Sequence, residues 1–97
     1  MAKARRYSNA FEAVGFGPIE AEHLRIRADL MLEAERLISD RGWTQAEAAK
    51  LLHVTQPRIS DLMRGKIERF SIDTLVEMLA RAGADVTVRV RRRKHAA

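Results

Sequence analysis

The chain has 97 residues, of which 46% are hydrophobic, and it contains no cysteine. This length and composition fit one globular domain with a small core, and they exclude a disulfide framework and a thiolate metal site. No apolar run approaches the roughly 20 residues that span a bilayer, and no apolar segment follows the basic N-terminus as in a signal peptide. We therefore expect a cytoplasmic protein that makes no membrane contact.

The formal net charge of +5 is unevenly distributed. All 13 acidic residues lie between Glu12 and Asp85, whereas both ends of the chain are basic. Cationic ends favour a polyanionic partner and a salt-dependent affinity, although basic tails can also serve solubility alone. The basic residues of the two ends are Lys3, Arg5, Arg6, Arg89, Arg91, Arg92, Arg93 and Lys94.

Residues 1–17 are predicted to form a flexible, basic N-terminal segment. Its only apolar patch consists of Phe11, Val14 and Phe16, and it ends at two glycines and a proline. An apolar patch near a flexible terminus can anchor a partner protein, or it can fold back on the core. The sequence leaves both interpretations open.

A long first helix is predicted from Pro18 or Ile19 to about Asp40, because apolar residues recur at helical spacing and Gly42 follows as a stop. The helix carries six acidic residues against three arginines. Such a surface suits a basic protein partner, but it is equally typical of a solvated helix face. The acidic residues are Glu20, Glu22, Asp29, Glu33, Glu35 and Asp40.

Residues 44–66 carry the most informative pattern in the chain. Thr44 is a good N-cap, and Glu47 three residues later completes a capping box. Thr55 is predicted to cap a second short helix that has Pro57 in its first turn and a glycine after its end. Two short helices joined by so short a turn indicate a helix–turn–helix that docks its second helix in the DNA major groove. An ordinary α-hairpin in a helical bundle is the alternative.

These residues resemble the helix–turn–helix of the Cro- and phage-repressor-like (Xre) family. The resemblance rests on Thr44-Gln45, on Ala49, on Gln56 at the start of the second helix and on Arg64-Gly65-Lys66 at its end. It implies an all-α, lambda-repressor-like bundle of about five helices. The family usually has glycine where His53 stands, because the turn needs a positive φ, so we expect local strain at His53.

The resemblance extends over roughly residues 9–91 to short HigA-like antitoxin regulators. It implies a repressor that autoregulates its operon and neutralises a small, basic, RelE-like ribonuclease toxin. A stand-alone Xre-type regulator without a toxin partner is the alternative. Either protein would be bacterial and nucleoid-associated when bound to DNA. The segments that carry the wider resemblance are Asn9-Ala10-Phe11-Glu12, the run from Gln56 to Leu62, Phe70-Ser71-Ile72-Asp73 and Asp85-Val86-Thr87-Val88.

The polar outer face of the second motif helix is predicted to read base edges. Its first residue, Gln56, can make the bidentate contact with adenine that glutamine geometry allows. Asp61 can accept from a cytosine amino group, or it can orient Arg58 or Arg64, and we favour the second role because it removes repulsion from DNA. The expected base-reading residues are Gln56, Pro57, Arg58, Ser60 and Asp61, and the expected phosphate contacts are Thr44, Gln45, Arg64 and Lys66.

After the motif, Ser71 is predicted to cap a last helix over about Ile72 to Ala82, so that residues 18–83 form the DNA-binding domain. Residues 84–92 alternate in polarity, which predicts one β-strand for dimerisation, followed by a basic tail over 93–97. A lone strand leaves backbone groups unpaired, so we expect it to pair with the same strand of a second subunit. Such a homodimer would match a palindromic operator. Pairing with the N-terminal segment or with another protein is the alternative. The valines that share one face of this strand are Val86, Val88 and Val90.

Nothing in the sequence predicts an enzyme, a cofactor or a metal site. The three histidines, His23, His53 and His95, lie too far apart in sequence for local ligand spacing. Gly15 and Gly17 form only a G-x-G without the third glycine or a preceding strand, so no phosphate-binding loop is expected.

Overall fold

Residues 14–92 are described by a computed structural model, and within them the chain folds into four α-helices and one short 3-10 helix. The expected all-α class is confirmed. The expected count of about five helices is not met in this range, where the fifth helical element is a single 3-10 turn. Phe11 and the basic residues at 3–6 and 93–94 lie outside the described residues. The elements are α1 (Pro18–Asp40), α2 (Gln45–Leu52), α3 (Gln56–Met63), the 3-10 helix (Ile67–Arg69) and α4 (Ile72–Arg81).

The core lies where α1 packs against α4 and α2 packs against α3. Its largest fully buried side chains include Ile59 and Leu62 from α3, Leu75 from α4 and Phe70 from the link between them. Burying one such side chain stabilises the fold by roughly 1.5–3 kcal/mol, so these contacts hold α3 firmly against the bundle. The full cluster is Met31, Ala34, Ile38, Ala48, Ala49, Leu52, Ile59, Leu62, Phe70, Leu75, Met78, Leu79 and Ala82.

All four α-helices end with the same hydrogen bond, in which a backbone N–H donates to the carbonyl five residues earlier. The residue before each donor has a positive φ, as this closure requires. That residue is glycine at three of the four ends and His53, with φ 57°, at the end of α2. His53 therefore adopts the positive φ that the resemblance to the Xre family implied for this position. The four bonds run from Trp43 to Ile38, from Val54 to Ala49, from Lys66 to Asp61 and from Ala84 to Leu79.

The C-terminal segment 84–92 follows α4 without helix or strand, so the predicted β-strand is not formed within residues 14–92. The physical reason is that a strand needs a hydrogen-bonded neighbour, and the described part of this chain presents none. Ala84 and Val86 are partly buried against the core. Val88 and Val90 are 80% and 87% exposed. The segment is thus anchored at its start and leaves the core after Val86.

Replacing His53 by glycine should stabilise the protein. Holding a residue other than glycine in the left-handed conformation costs about 1–2 kcal/mol. Glycine avoids this cost, but its greater freedom in the unfolded chain destabilises the fold by about 0.5–1 kcal/mol. We expect a net gain of about 0.5–1 kcal/mol in the free energy of unfolding, measured by urea denaturation. His53→Ala is the control, because alanine removes the imidazole and keeps the strained backbone. A glycine variant no more stable than the alanine variant would contradict strain at this turn.

Candidate nucleic-acid interface

The N-terminus of α2 is held by the predicted capping box. The Glu47 N–H donates to the Thr44 hydroxyl oxygen at 3.1 Å, and the Thr44 N–H donates to the Glu47 carboxylate at 2.9 Å. The backbone hydrogen bond from Thr44, reinforced by its side chain, lowers the pKa of the Glu47 carboxyl. The side chains of Thr44 and Gln45 are both exposed and thus accessible to a phosphate.

Thr55 occupies the N-cap position of α3, but its side chain makes no capping hydrogen bond. The predicted side-chain cap is therefore wrong, and only the Thr55 carbonyl serves the helix, accepting from the N–H groups of Arg58 and Ile59. The exposed Thr55 hydroxyl has no hydrogen-bond partner among residues 14–92. It is consequently a candidate phosphate contact that the sequence had assigned to the cap.

The eight residues of α3 divide into a buried side and a polar side. Ile59 and Leu62 are completely buried. On the polar side, Gln56 and Arg64 are exposed, and Ser60 between them is half-buried. Residues four apart on a helix lie on one face, so these three form a single row. Of the five predicted base-reading residues, Gln56 and Ser60 lie in this row. The exposed Pro57 and the half-buried Asp61 lie beside it.

Arg58, the fifth predicted base-reading residue, is stacked on an aromatic ring. Its guanidinium carbon lies 4.9 Å from the centroid of the Phe70 ring. Phe70 is 1% exposed, so the arginine covers the edge of the core. A cation–π contact of this kind is worth roughly 0.5–2 kcal/mol. Arg58 therefore either contacts DNA while it is stacked on Phe70 or must lose the stacking contact to reach the DNA.

Asp61 forms ion pairs with two residues that follow α3. One carboxylate oxygen accepts from the Arg69 guanidinium at 3.2 Å, and the other lies 3.9 Å from the Lys66 ammonium. The prediction that Asp61 would orient Arg58 or Arg64 is wrong. Arg58 is held by Phe70, and the turn after Gly65 leads into the 3-10 helix, which brings the other two cations to the carboxylate.

Arg69 is a candidate functional residue that sequence reasoning missed. No helical spacing relates it to Asp61, because the end of α3 and a turn separate the two residues.

Lys66, a predicted phosphate contact, is half-buried beside the same carboxylate. Arg64 is exposed and makes no ion pair with any residue between 14 and 92. It is thus the cation of this helix end most readily available to a phosphate.

Other kinds of site are not evident in this part of the chain. Between residues 14 and 92, no group of three or more acidic or histidine side chains is placed to hold a metal ion. None of the helices in that range is long and apolar enough to cross a membrane.

The sequence matches a family model described as a helix-turn-helix domain over residues 13–91. This match spans most of the 97-residue chain and includes the four α-helices. The chain belongs to this helix-turn-helix family. Together with the all-helical fold, membership supports a sequence-specific DNA-binding regulator. The match also extends through residues 84–91, so the C-terminal segment is part of the family's domain. A comparison with curated proteins gives no match.

Gln56→Ala and Arg64→Ala should separate base reading from phosphate binding in this helix-turn-helix protein. We expect the alanine at 56 to lose roughly 1–3 kcal/mol at one base position and to relax preference there. The alanine at 64 should weaken binding to all sequences and flatten the salt dependence of the affinity by about one unit of slope.

Salt titrations on a selected duplex and on a mixed-sequence duplex measure both effects. Identical behaviour of the two variants on both duplexes would refute the assignment of α3 as the reading helix.

Proposed function

We propose that the chain is a transcriptional repressor that binds a palindromic operator as a homodimer. We further propose that it is the antitoxin of a toxin–antitoxin pair, which autoregulates its operon and neutralises a RelE-like ribonuclease. We propose no catalytic activity for this chain. The observation that carries the DNA-binding part is the polar outer row of α3, held on a helix whose opposite side is completely buried.

The structure of α3 supports base reading for a specific reason. Ile59 and Leu62 fix its position and rotation, so the side chains of Gln56 and Ser60 are presented without further ordering of the backbone. A preorganised surface loses less conformational entropy on binding. Arg64 at the end of the row adds a free cation, and phosphate contacts of this kind set register and orientation on the duplex.

The homodimer is supported by the C-terminal segment. Val86 is seated on the core, and Val88 and Val90 continue the same alternation into solvent at 80% and 87% exposure. A second copy of the segment would pair its backbone groups and cover these valines. A two-fold dimer formed in this way would match the two half-sites of a palindromic operator. The neighbouring α4 is the helix expected to join this contact.

The antitoxin role is supported chiefly by the resemblance to HigA-like regulators, and the structure favours one of the two candidate toxin surfaces. Three of the six acidic residues of α1 are paired with arginines of the same helix. Arg25 pairs with Glu22 at 2.9 Å and lies 3.9 Å from Asp29, and Glu33 pairs with Arg36 at 3.3 Å. The electrostatic attraction of α1 for a basic toxin is therefore weaker than its number of acidic residues suggests.

The start of α1 offers a better surface for such a partner. Val14 is 72% exposed, Phe16 39% and Ile19 79%. Two of these residues belong to the apolar patch predicted from the sequence, and Ile19 extends it. Exposed apolar groups of this size commonly mark protein contacts. None of these three residues belongs to α3 or to residues 84–92, the segments proposed to bind DNA and the second subunit.

Val88→Ser with Val90→Ser should convert the dimer to monomers. Both side chains are exposed in the single chain, so the double variant should still fold as a monomer. The control is Val14→Ser with Ile19→Ser, which removes two comparably exposed apolar residues elsewhere. Analytical ultracentrifugation should find monomers only for the variant at 88 and 90. If that variant remains dimeric, pairing through the C-terminal segment is wrong.

Neutralisation of a toxin should depend on Val14 and Ile19. We expect a small basic protein encoded beside this chain to arrest growth, and wild type to co-purify with it and restore growth. Val14→Ser with Ile19→Ser should lose this rescue while keeping its affinity for a duplex selected by wild type. Rescue by that variant would show that the patch is not the toxin surface. If no neighbouring gene product is toxic, the stand-alone regulator takes the place of the antitoxin.

A further inference from the structure

We propose that Asp61 determines the sequence specificity of this protein by holding Lys66 and Arg69 away from DNA that lacks the correct base. The inference rests on the proposed DNA-binding function, and it assigns a role to a carboxylate that otherwise opposes that function. Asp61, Lys66 and Arg69 together form the Asp61 clamp.

The Asp61 clamp differs from the other ion pairs formed between residues 14 and 92. Those pairs join residues three or four apart on one helix, in α1 or in α4. The clamp instead joins α3 to two cations that follow it, one in the turn and one in the 3-10 helix. The Asp61 side chain is 16% exposed, whereas that of Arg69 is 53% exposed. The carboxylate is thus partly enclosed, and the arginine reaches it from the solvent side.

The position of the clamp makes it relevant to DNA. Asp61 follows Pro57 by one helical turn and lies beside the row formed by Gln56, Ser60 and Arg64. A carboxylate at this place repels a phosphate backbone. Its two ion pairs also engage cations that would otherwise contact phosphates. Both effects lower the affinity for DNA of any sequence.

The correct base can reverse this penalty. A carboxylate that reaches the major groove can accept a hydrogen bond from the amino group of cytosine. Once Asp61 has that partner, Lys66 and Arg69 can exchange the carboxylate for backbone phosphates. On DNA without a donor at that position, the exchange would leave Asp61 unpaired against a polyanion. The clamp therefore weakens binding to incorrect sequences more than binding to the operator.

The test compares Asp61→Asn with Glu33→Gln. Both changes remove one carboxylate, and each releases an arginine whose side chain is 53% exposed, Arg69 or Arg36. Glu33 lies on the exposed side of α1 and serves as the matched control. The probes are a mixed-sequence duplex of about two helical turns and a duplex of equal length selected by wild type from a randomised pool.

Asp61→Asn should bind the mixed-sequence duplex roughly fivefold more tightly than wild type, about the effect of one close charge contact in water. Its salt slope should steepen by about 0.9 for each cation that gains a phosphate. Affinity for the selected duplex should rise less or fall, so the ratio between the two duplexes decreases. Glu33→Gln should leave this ratio unchanged. Equal ratios for the two variants would overturn the inference.

A second comparison tests the release of the cations directly. In the background of Arg69→Gln, the gain in mixed-sequence affinity caused by Asp61→Asn should shrink, because one of the two cations is gone. An undiminished gain would show that Asp61 acts by its own charge alone and not by pairing with the two cations.

If Asp61→Asn does not fold, single variants of the cations decide the matter. Lys66→Gln and Arg69→Gln should each weaken mixed-sequence binding less than Arg64→Gln does, since Arg64 is unpaired within residues 14–92. Equal losses for all three would refute the clamp. Failure of wild type to prefer any duplex would instead refute the proposed function, which separates the two failures.

Discussion

The burial of Ile59 and Leu62 is the constraint on which the rest of this structure depends. α3 has only eight residues, and a helix of that length is not stable by itself in water. It forms because its apolar side is buried in the core, to which Phe70 and Leu75 also contribute. The polar side chains of α3 inherit their positions from this packing. The residues that would read DNA are thus oriented by residues that cannot touch it.

The connections between helices maintain the same rigidity. Each α-helix ends in a hydrogen bond to the carbonyl five residues before the donor, and the capping box fixes the start of α2. The turn between α2 and α3 is the one place where this closure is made without glycine, at His53. Strain is therefore concentrated at the joint that sets the angle of the reading helix. Such a joint is kept in place by the packing of the helices on either side of it.

Electrostatics in this protein depend more on pairing than on the number of charges. Three of the six acidic residues of α1 pair with arginines on the same helix, and partial burial raises the pKa of the Glu35 carboxyl. Beside α3, one carboxylate engages two cations. The net charge of +5 therefore overstates what the described part of the chain presents directly to a polyanion. Arg64 is the cation that remains available at the reading helix.

The sequence by itself determined those features of the protein that depend on local chemistry. The capping box at Thr44, the serine cap of α4 and the limits of α1 each follow from residues within one or two turns of each other. The positive φ at His53 was implied instead by the resemblance to a family that usually has glycine at this position. The division of α3 into an apolar and a polar side follows from helical periodicity in the same way.

Only the tertiary structure decided the features that join distant or irregular segments. The partners of Asp61 depend on the path of the 3-10 helix, and the stacking of Arg58 on Phe70 depends on the chain folding back over α3. The strand expected over residues 84–92 has no neighbour within the described chain, because alternation specifies which side chains share a face and cannot supply a hydrogen-bonding partner. Short-range patterns specify local backbone conformation, whereas pairing between side chains or strands depends on where the rest of the fold places them.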